Sequence, residues 1–185
     1  MNGRANSFSI EQCADVTEAE ALSHLGRETF IQTFGHLYKA DDLNMFLRDN
    51  HSPVIYRALL SDPTFSVWTV HSENRELVGF AVAGPCDLPV PDMSDKAGEL
   101  KRFYVLDTFQ GMGLGQGLMD QVLRWLEARF DTLYLSVYAK NDGAQRLYRR
   151  YGFQKILDYF YQVGTHADPE IVMQRFLDPA DVGKA

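Results

Sequence analysis

Cysteine is scarce in this chain: Cys13 and Cys86 are the only two among 185 residues, and neither belongs to a CxxC or Cys/His cluster. That excludes a disulfide framework and a thiolate zinc site, and leaves two small thiols, buried or partly exposed. The five histidines, His24, His36, His51, His71 and His166, show no HxxxH, HExxH or HxH spacing, so no metal is expected. Long apolar runs are also missing: the longest, such as Phe80 to Ala83, are four residues, against the roughly 20 of a spanning helix. No membrane contact is therefore expected. Met1 to Ser7 has no apolar stretch resembling a secretion signal, which makes the cytoplasm the expected compartment. Nor is there an excess of positive charge. A net charge of -7 argues against a protein held to nucleic acid by phosphate contacts.

What is present is an ordinary globular composition, 45% apolar and 23% charged. The length favours one domain over two, spanning 1–185 with a core of about 8–176. Charge is unevenly divided: 15 acids stand against 7 bases up to Leu100, and 10 against 11 beyond it. An acidic first half suits a cationic partner, whereas Lys101-Arg102 and Arg149-Arg150 in the second suit an anion; ordinary solubility charge is the alternative.

Hydrophobic spacing predicts the elements. Ser7 to Gln12 reads as a strand, and Thr17 to Phe34 and Asp41 to Arg48 as helices. A third helix runs from Pro53 to about Leu60 with Ser52 as its cap. Phe65 to Val70 and Leu77 to Ala83 form a hairpin, and Gly84 to Gly98, with Pro85, Pro89 and Pro91, reads as a mobile loop. The strand Glu99 to Val105 alternates Glu99, Lys101, Phe103 and Val105 against Leu100, Arg102 and Tyr104. Then come a helix from Gly113 to Phe130, a strand from Leu133 to Tyr138, and a helix from Asp142 to Tyr151. Strands Lys155 to Val163 and Ile171 to Phe176 close the chain. This order predicts an α/β (α+β) protein: a single mixed, mostly antiparallel sheet of about seven strands with helices on both faces.

The most informative stretch is Gln110-Gly111-Met112-Gly113-Leu114-Gly115-Gln116-Gly117, between a strand and a helix. Alternate glycines strip side chains from the first helical turn, where backbone N–H groups lack intrahelical partners and the helix dipole is positive. That is a site for phosphate oxygens. The spacing is not a dinucleotide fingerprint, because the positions where GxGxxG needs its third glycine are Gln116 and Leu118, and no GK[ST] follows as a Walker loop requires. Close helix–strand packing is the structural alternative, but each glycine costs about 1 kcal/mol of helix propensity.

Gln110-x-x-Gly113-x-Gly115 resembles the acyl-CoA pyrophosphate loop of the GNAT superfamily of N-acetyltransferases, and Asn141-x-x-Ala144-x-x-x-Tyr148-x-x-x-Gly152-Phe153 resembles its later motif. The likeness extends from about Phe8 to Phe176. It implies a GNAT-like acyl-CoA N-acyltransferase fold with acetyl-CoA as co-substrate and no metal. The strand from Glu99 to Val105 would splay from its neighbour, and the backbone of Phe103, Tyr104 and Val105 would pair with the pantetheine arm. Gln110, Gly111, Met112, Gly113, Leu114, Gly115 and Gln116 would hold the pyrophosphate. Asn141 would orient pantetheine, and Tyr148 would protonate the coenzyme A sulfur, with packing on Phe153 as its alternative role. Glu99 is the candidate base, since family members often carry an acid there; a solvated carboxylate at a strand start is the other reading of the same residue.

The helices carrying Thr29 to Phe34, Asp41-Asp42 and Met45 to Leu47 resemble those of bacterial polyamine acetyltransferases. This implies a small cationic amine as acceptor. A lysine or N-terminal amine on a peptide, or an acyl-CoA sensor without chemistry, are the alternatives. Many relatives are dimers through their C-terminal strands, so a homodimer through Ile156 to Tyr161 is expected from the resemblance, and core packing explains the same residues.

Overall fold

The computed structural model describes residues 8–177. Ser7 of the first expected strand, the stretch Met1 to Ser7 and the ends of the expected 1–185 domain lie outside the described residues. Five helices and seven strands alternate in the expected order: β1 (Ser9–Cys13), α1 (Ala19–Phe34), α2 (Ala40–His51), α3 (Pro53–Ser61), β2 (Ser66–His71), β3 (Leu77–Pro85), β4 (Ala97–Val105), α4 (Leu114–Glu127), β5 (Thr132–Tyr138), α5 (Asp142–Arg150), β6 (Gln154–Val163) and β7 (His166–Phe176). The strands form one sheet in the order β1-β2-β3-β4-β5-β7-β6. Only β4 and β5 run parallel; every other neighbouring pair is antiparallel.

Helices cover both faces. Phe80 and Ala81 are adjacent on β3 and so point to opposite sides. Tyr56 of α3 meets Phe80 edge-on at 5.6 Å. On the other side, Phe103 stands opposite Ala81, and its ring lies 3.8 Å from where a Cβ on Gly115 of α4 would be. α4 buries Leu114, Leu118, Met119, Val122, Leu123 and Leu126, which is the stripe that its apolar spacing prescribes. Truncating one such leucine to alanine costs about 2–5 kcal/mol.

Four local expectations need correction. Ser52 precedes α3 as expected, but its side chain makes no capping bond; its carbonyl instead accepts from the Ile55 and Tyr56 amides. The segment from Cys86 to Lys96 is not a loose loop. Cys86, Leu88, Val90 and Met93 pack on a second small core of Ala97, Tyr134 and Val172, so the prolines interrupt secondary structure without preventing burial. The last strand starts five residues earlier than Ile171 because Pro169 is tolerated inside it. The Pro169 carbonyl accepts from the Ala139 amide, so its missing N–H faces the side on which β5 has just ended.

The fourth correction concerns faces of β4. A bulge between Val82 and Ala83 leaves Lys101 between the paired residues Leu100 and Arg102. Residues directly opposite each other share a face. Glu99 opposes Gly84, Arg102 opposes Val82 and Tyr104 opposes Phe80, so these three share one face, while Leu100 and Phe103 share the other. Strict alternation would have separated Glu99 from Arg102 and Tyr104; the extra residue brings them together.

Candidate active site

The parallel ladder between β4 and β5 stops at the Leu100/Leu135 pair. Beyond it β4 stays paired with β3 as far as Val105, and β5 stays paired with β7 as far as Tyr138. The two strands therefore separate like a V. The gap is a cleft of about 1140 Å³, and the edge of β4 past Leu100 faces it without a partner strand. A buried strand edge calls for hydrogen-bonding partners. Phe103, Tyr104, Val105, Gln110, Gly111, Gly115, Asn141, Tyr148 and Glu99 all line this cleft, so the structure brings together residues from both sequence motifs and the candidate base.

At one end lies the glycine segment. Gly111 and Gly113 have φ of +78° and +83°, and a Cβ on either would meet nothing within 4 Å. Their glycine identity answers to backbone conformation beside open space, not to packing. Gly113 is the left-handed cap residue of α4, and its carbonyl takes the Gln116 and Gly117 amides. Gly117 differs: a Cβ there would sit 3.0 Å from Ile10 Cδ1, so that glycine serves helix–strand packing. The Gln110 side chain does not reach outward. Its Nε2 donates to the Val105 carbonyl at 3.1 Å and to Asp107 Oδ1 at 2.8 Å, fastening the loop to the end of β4. Met112, Gly113, Leu114 and Gln116 lie outside the cleft wall, and Leu114 turns into the core; these positions can meet a ligand only through the loop backbone or at the rim.

The basic residues singled out by sequence divide. Lys101 pairs with Glu99 and Asp87, Arg102 donates to the Asn50 carbonyl, and Arg149 donates to Gln145. Arg150 lines the cleft, and so does Arg146, one turn earlier on α5, which sequence reading missed. Lys101 and Arg102 line the cleft as well.

Tyr148 sits in the last turn of α5, 7% exposed, with its ring edge-on to Phe153 at 6.3 Å. Packing and cleft exposure are both true of it. Burial pushes its phenol well above the ordinary tyrosine range, with the nearby Tyr104 and Glu170 adding to the rise. The group is therefore protonated at any physiological pH. Asn141 caps α5, its Oδ1 accepting the Ala144 amide at 3.1 Å. Sequence reading missed that role, although Asn directly before a helix whose first residue is Asp142 is a recognisable cap signal.

The opposite end is acidic. Glu99 is 6% exposed; its Oε2 accepts from Lys101 Nζ at 2.8 Å and from the Asp87 amide at 3.2 Å. Burial raises its carboxyl against the opposing pull of Lys101. Across the cleft on β7 stand Asp168 and Glu170, which face Tyr161 and Tyr159 of β6. Glu170 Oε2 accepts from Ser136 Oγ at 2.6 Å, and Tyr159 lies 2.8 Å from that same Oγ. Burial, with Asp168 nearby, raises the Glu170 carboxyl to about 7 despite the Ser136 bond. Asp168, 4% exposed, accepts from the Tyr38 hydroxyl through Oδ2. Its Oδ1 has His166 Nε2 at 3.2 Å but out of hydrogen-bond alignment, and so has no hydrogen-bond partner. A strand beginning at Ile171 leaves both acids outside it; the alternation Asp168, Glu170, Val172 is the sequence signal that includes them.

Asp87 and Glu99 of the acidic first half share this wall with acids from the second. Asp168 and Glu170 come from the second half, and α1 and α2 line the cleft with aromatic rings, among them Phe30, Phe34 and Phe46. Phe30 stacks on Phe46 at 4.4 Å and on Tyr38 at 5.9 Å. His51, 1% exposed, has its Nδ1 2.8 Å from the Tyr56 hydroxyl; burial, with Arg102 and Arg27, lowers it to about 3, so it is neutral. Among the described residues no group of three or more His, Cys, Asp or Glu could hold a metal, and no helix is long and apolar enough to cross a membrane.

Comparison with known proteins agrees with this geometry. The sequence model of the Acetyltransferase (GNAT) family matches residues 24–153. An uncharacterized N-acetyltransferase of Mycobacterium bovis is 28% identical over 166 residues, covering 88% of this chain and 99% of that protein. The spermine/spermidine N(1)-acetyltransferase of Bacillus subtilis is 37% identical over 83 residues, 43% of this chain and 53% of that protein. Among solved structures, the PaiA N-acetyltransferase of Thermoplasma acidophilum in complex with coenzyme A superposes with a TM-score of 0.71 at 16% identity, over 92% of this chain and 99% of its own, a likeness of fold.

Proposed function

The chain belongs to the GNAT family of acetyltransferases, and from that premise we propose that it transfers the acetyl group of acetyl-CoA to a small cationic amine. The single observation that carries the choice of acceptor is Asp168. Its buried Oδ1 lacks a hydrogen-bond partner among the described residues, with only the His166 ring 3.2 Å away, and a buried carboxylate oxygen without a hydrogen bond is costly unless a cation completes it. The partial likeness to a spermine/spermidine acetyltransferase points the same way.

In this reading the coenzyme lies along the V, its pantetheine arm against the free edge of β4 at Phe103, Tyr104 and Val105. Its diphosphate rests on the amides between Gly111 and Gly115, with Arg146 and Arg150 adding positive charge. Asn141 orients the arm through its amide nitrogen, since its Oδ1 serves the cap. Tyr148, held protonated, gives its hydroxyl proton to the departing sulfur. For the proton of the incoming ammonium the wall offers two carboxylates, Glu99 and Glu170. A sensor that only bound acyl-CoA would need neither an unspent phenol nor a carboxylate beside it. β6 is a sheet edge, with Phe160 72% exposed, and is where a second copy would dock in a homodimer; sedimentation velocity tests that.

The test of the proposal is a panel of 1,4-diaminobutane, spermidine, n-butylamine, amino acids and a short peptide, read by release of free coenzyme A thiol. Diamines are expected to turn over best, and Asp168→Asn to lower the diamine-to-monoamine ratio of kcat/KM by about tenfold, the loss of one charge-assisted contact. A preference for the peptide, or an unchanged ratio in Asp168→Asn, contradicts the assignment of the acceptor.

A further inference from the structure

We propose that Glu170 of β7, not Glu99 of β4, is the catalytic residue that takes the proton from the acceptor ammonium. The inference rests on the acetyltransferase reading and adds to it one chemical role.

The sulfur that leaves and the nitrogen that attacks are bonded to the same carbon in the tetrahedral intermediate. The acid and the base must therefore be close neighbours. Tyr148 is the acid, and Glu170 lines the same cleft. Glu170 lies opposite Tyr159 of β6, and Tyr104, Tyr161 and Tyr38 line the cleft with it. Its register partner on β5 is Tyr138, the last residue of that strand. Glu170 thus stands where these elements converge on the cleft. Glu99 opposes Tyr134 one rung before the ladder ends, at the closed side of the V.

The two carboxylates also differ in partners. Glu99 is neutralised by Lys101, whose Nζ is itself shared with Asp87 at 2.9 Å; that cluster is a positioning device for the bulged segment of β4. Glu170 has no cationic partner among the described residues. Ser136 gives its one hydroxyl proton to Glu170 Oε2, so Tyr159 must donate in turn to Ser136 Oγ. The chain Tyr159, Ser136, Glu170 fixes the carboxylate, and Oε1 has no hydrogen-bond partner among the described residues. Burial and the like charge of Asp168 hold the group near the operating pH, where a base is most effective.

The proton balance closes. Glu170 carboxylate takes one proton from R–NH3+ and passes it to water. The neutral amine adds to the thioester carbon, forming the C–N bond; the C–S bond then breaks, and the sulfur takes the Tyr148 proton. The second nitrogen proton, lost as the amide forms, restores Tyr148.

The test compares wild type, Glu170→Gln and Glu99→Gln with two nucleophiles at pH 7: n-butylamine, which is protonated, and methoxyamine, which is already neutral. Glu170→Gln is expected to lose about 100-fold or more in kcat with n-butylamine and less than about threefold with methoxyamine. Glu99→Gln is expected to lose similar factors with both. The opposite pattern, or an equal loss in Glu170→Gln with both nucleophiles, overturns the proposal. Ser136→Ala gives a second reading should Glu170→Gln fail to fold. Removing a hydrogen bond to the charged form raises the carboxyl, so the acid limb of its kcat/KM profile moves to higher pH; an unmoved limb counts against Glu170. Calorimetric titration of wild type with coenzyme A separates the two readings: no heat of binding removes the acetyltransferase reading, whereas normal binding and turnover with a normal Glu170→Gln removes only this one.

Discussion

Leu100 and Leu135 form the last rung between the only two parallel strands of the sheet, and from that rung outward β4 and β5 part to make the cleft. Both leucines are buried, at 4% and 1% exposure, so the apex is apolar and fixed while the arms carry the polar groups. The aromatic, acidic and glycine-rich segments meet there because the apex sets how far apart they stand.

Gly113 holds φ at +83° in a place where a side chain would meet nothing. Gly113→Ala is expected to lose about 1–2 kcal/mol of folding stability from the left-handed backbone and to weaken coenzyme A binding by about tenfold, because the loop amides would be re-aimed. Gly117→Ala, which only nudges the end of Ile10, is expected to leave coenzyme affinity within about twofold. Equal effects on calorimetric affinity would show that neither glycine concerns the ligand.

Tyr148→Phe removes a hydroxyl that has no hydrogen-bond partner among the described residues, so thermal stability should be unchanged or slightly higher. Turnover should fall by about 100-fold with coenzyme A affinity nearly constant. Unchanged kcat in this variant with its best amine would withdraw the acid role.

Much of this architecture was legible in the sequence, and the exceptions share a cause. Helical and strand periodicity gave the element order, and glycine spacing gave the bare turn that opens α4, because both depend on local residue type. The bulge at Lys101 is one extra residue in a register that two strands negotiate together, and it moved Arg102 and Tyr104 to the face of Glu99. Asp168 and Glu170 were hidden by Pro169, whose missing amide is harmless only because β5 ends beside it. Packing of the proline-rich segment on Tyr134 and Val172 is likewise a tertiary fact. Pairwise registers and strand ends, more than residue types, set the catalytic wall.

Lys101→Met should expose how firmly the Glu99 pair is needed. Removing one partner of a buried ion pair costs about 3–5 kcal/mol, with the upper value expected at pH 8. Because burial already raises the Glu99 carboxyl, the lone acid takes up a proton as pH falls, and the loss should shrink toward pH 5. Urea denaturation at the two values reads this; a pH-independent loss would mean that Glu99 is not the group left unpaired.

His51 predicts acid sensitivity of the opposite kind. Its folded value of about 3 lies below the unfolded value of about 6.5. Between them the unfolded chain binds a proton that the native state refuses, and stability falls as pH falls through this window. Relative to His51→Gln, wild type should lose about 1.4 kcal/mol per pH unit below pH 6. Subtracting the two curves cancels the contribution of Glu170, which has the reverse sign because its folded value is raised. Parallel curves would show that His51 titrates freely in the native protein.

The central claim is that main-chain amides between Gly111 and Gly115 receive a diphosphate, and amide nitrogen–proton NMR tests it most directly. Titration with coenzyme A should displace the Gly111, Gly113 and Gly115 resonances strongly, while pantetheine, which has the same thiol arm without the diphosphate, should leave them in place. If those three amides stay unmoved at saturating coenzyme A, or move equally with pantetheine, the diphosphate is held elsewhere and the account is contradicted.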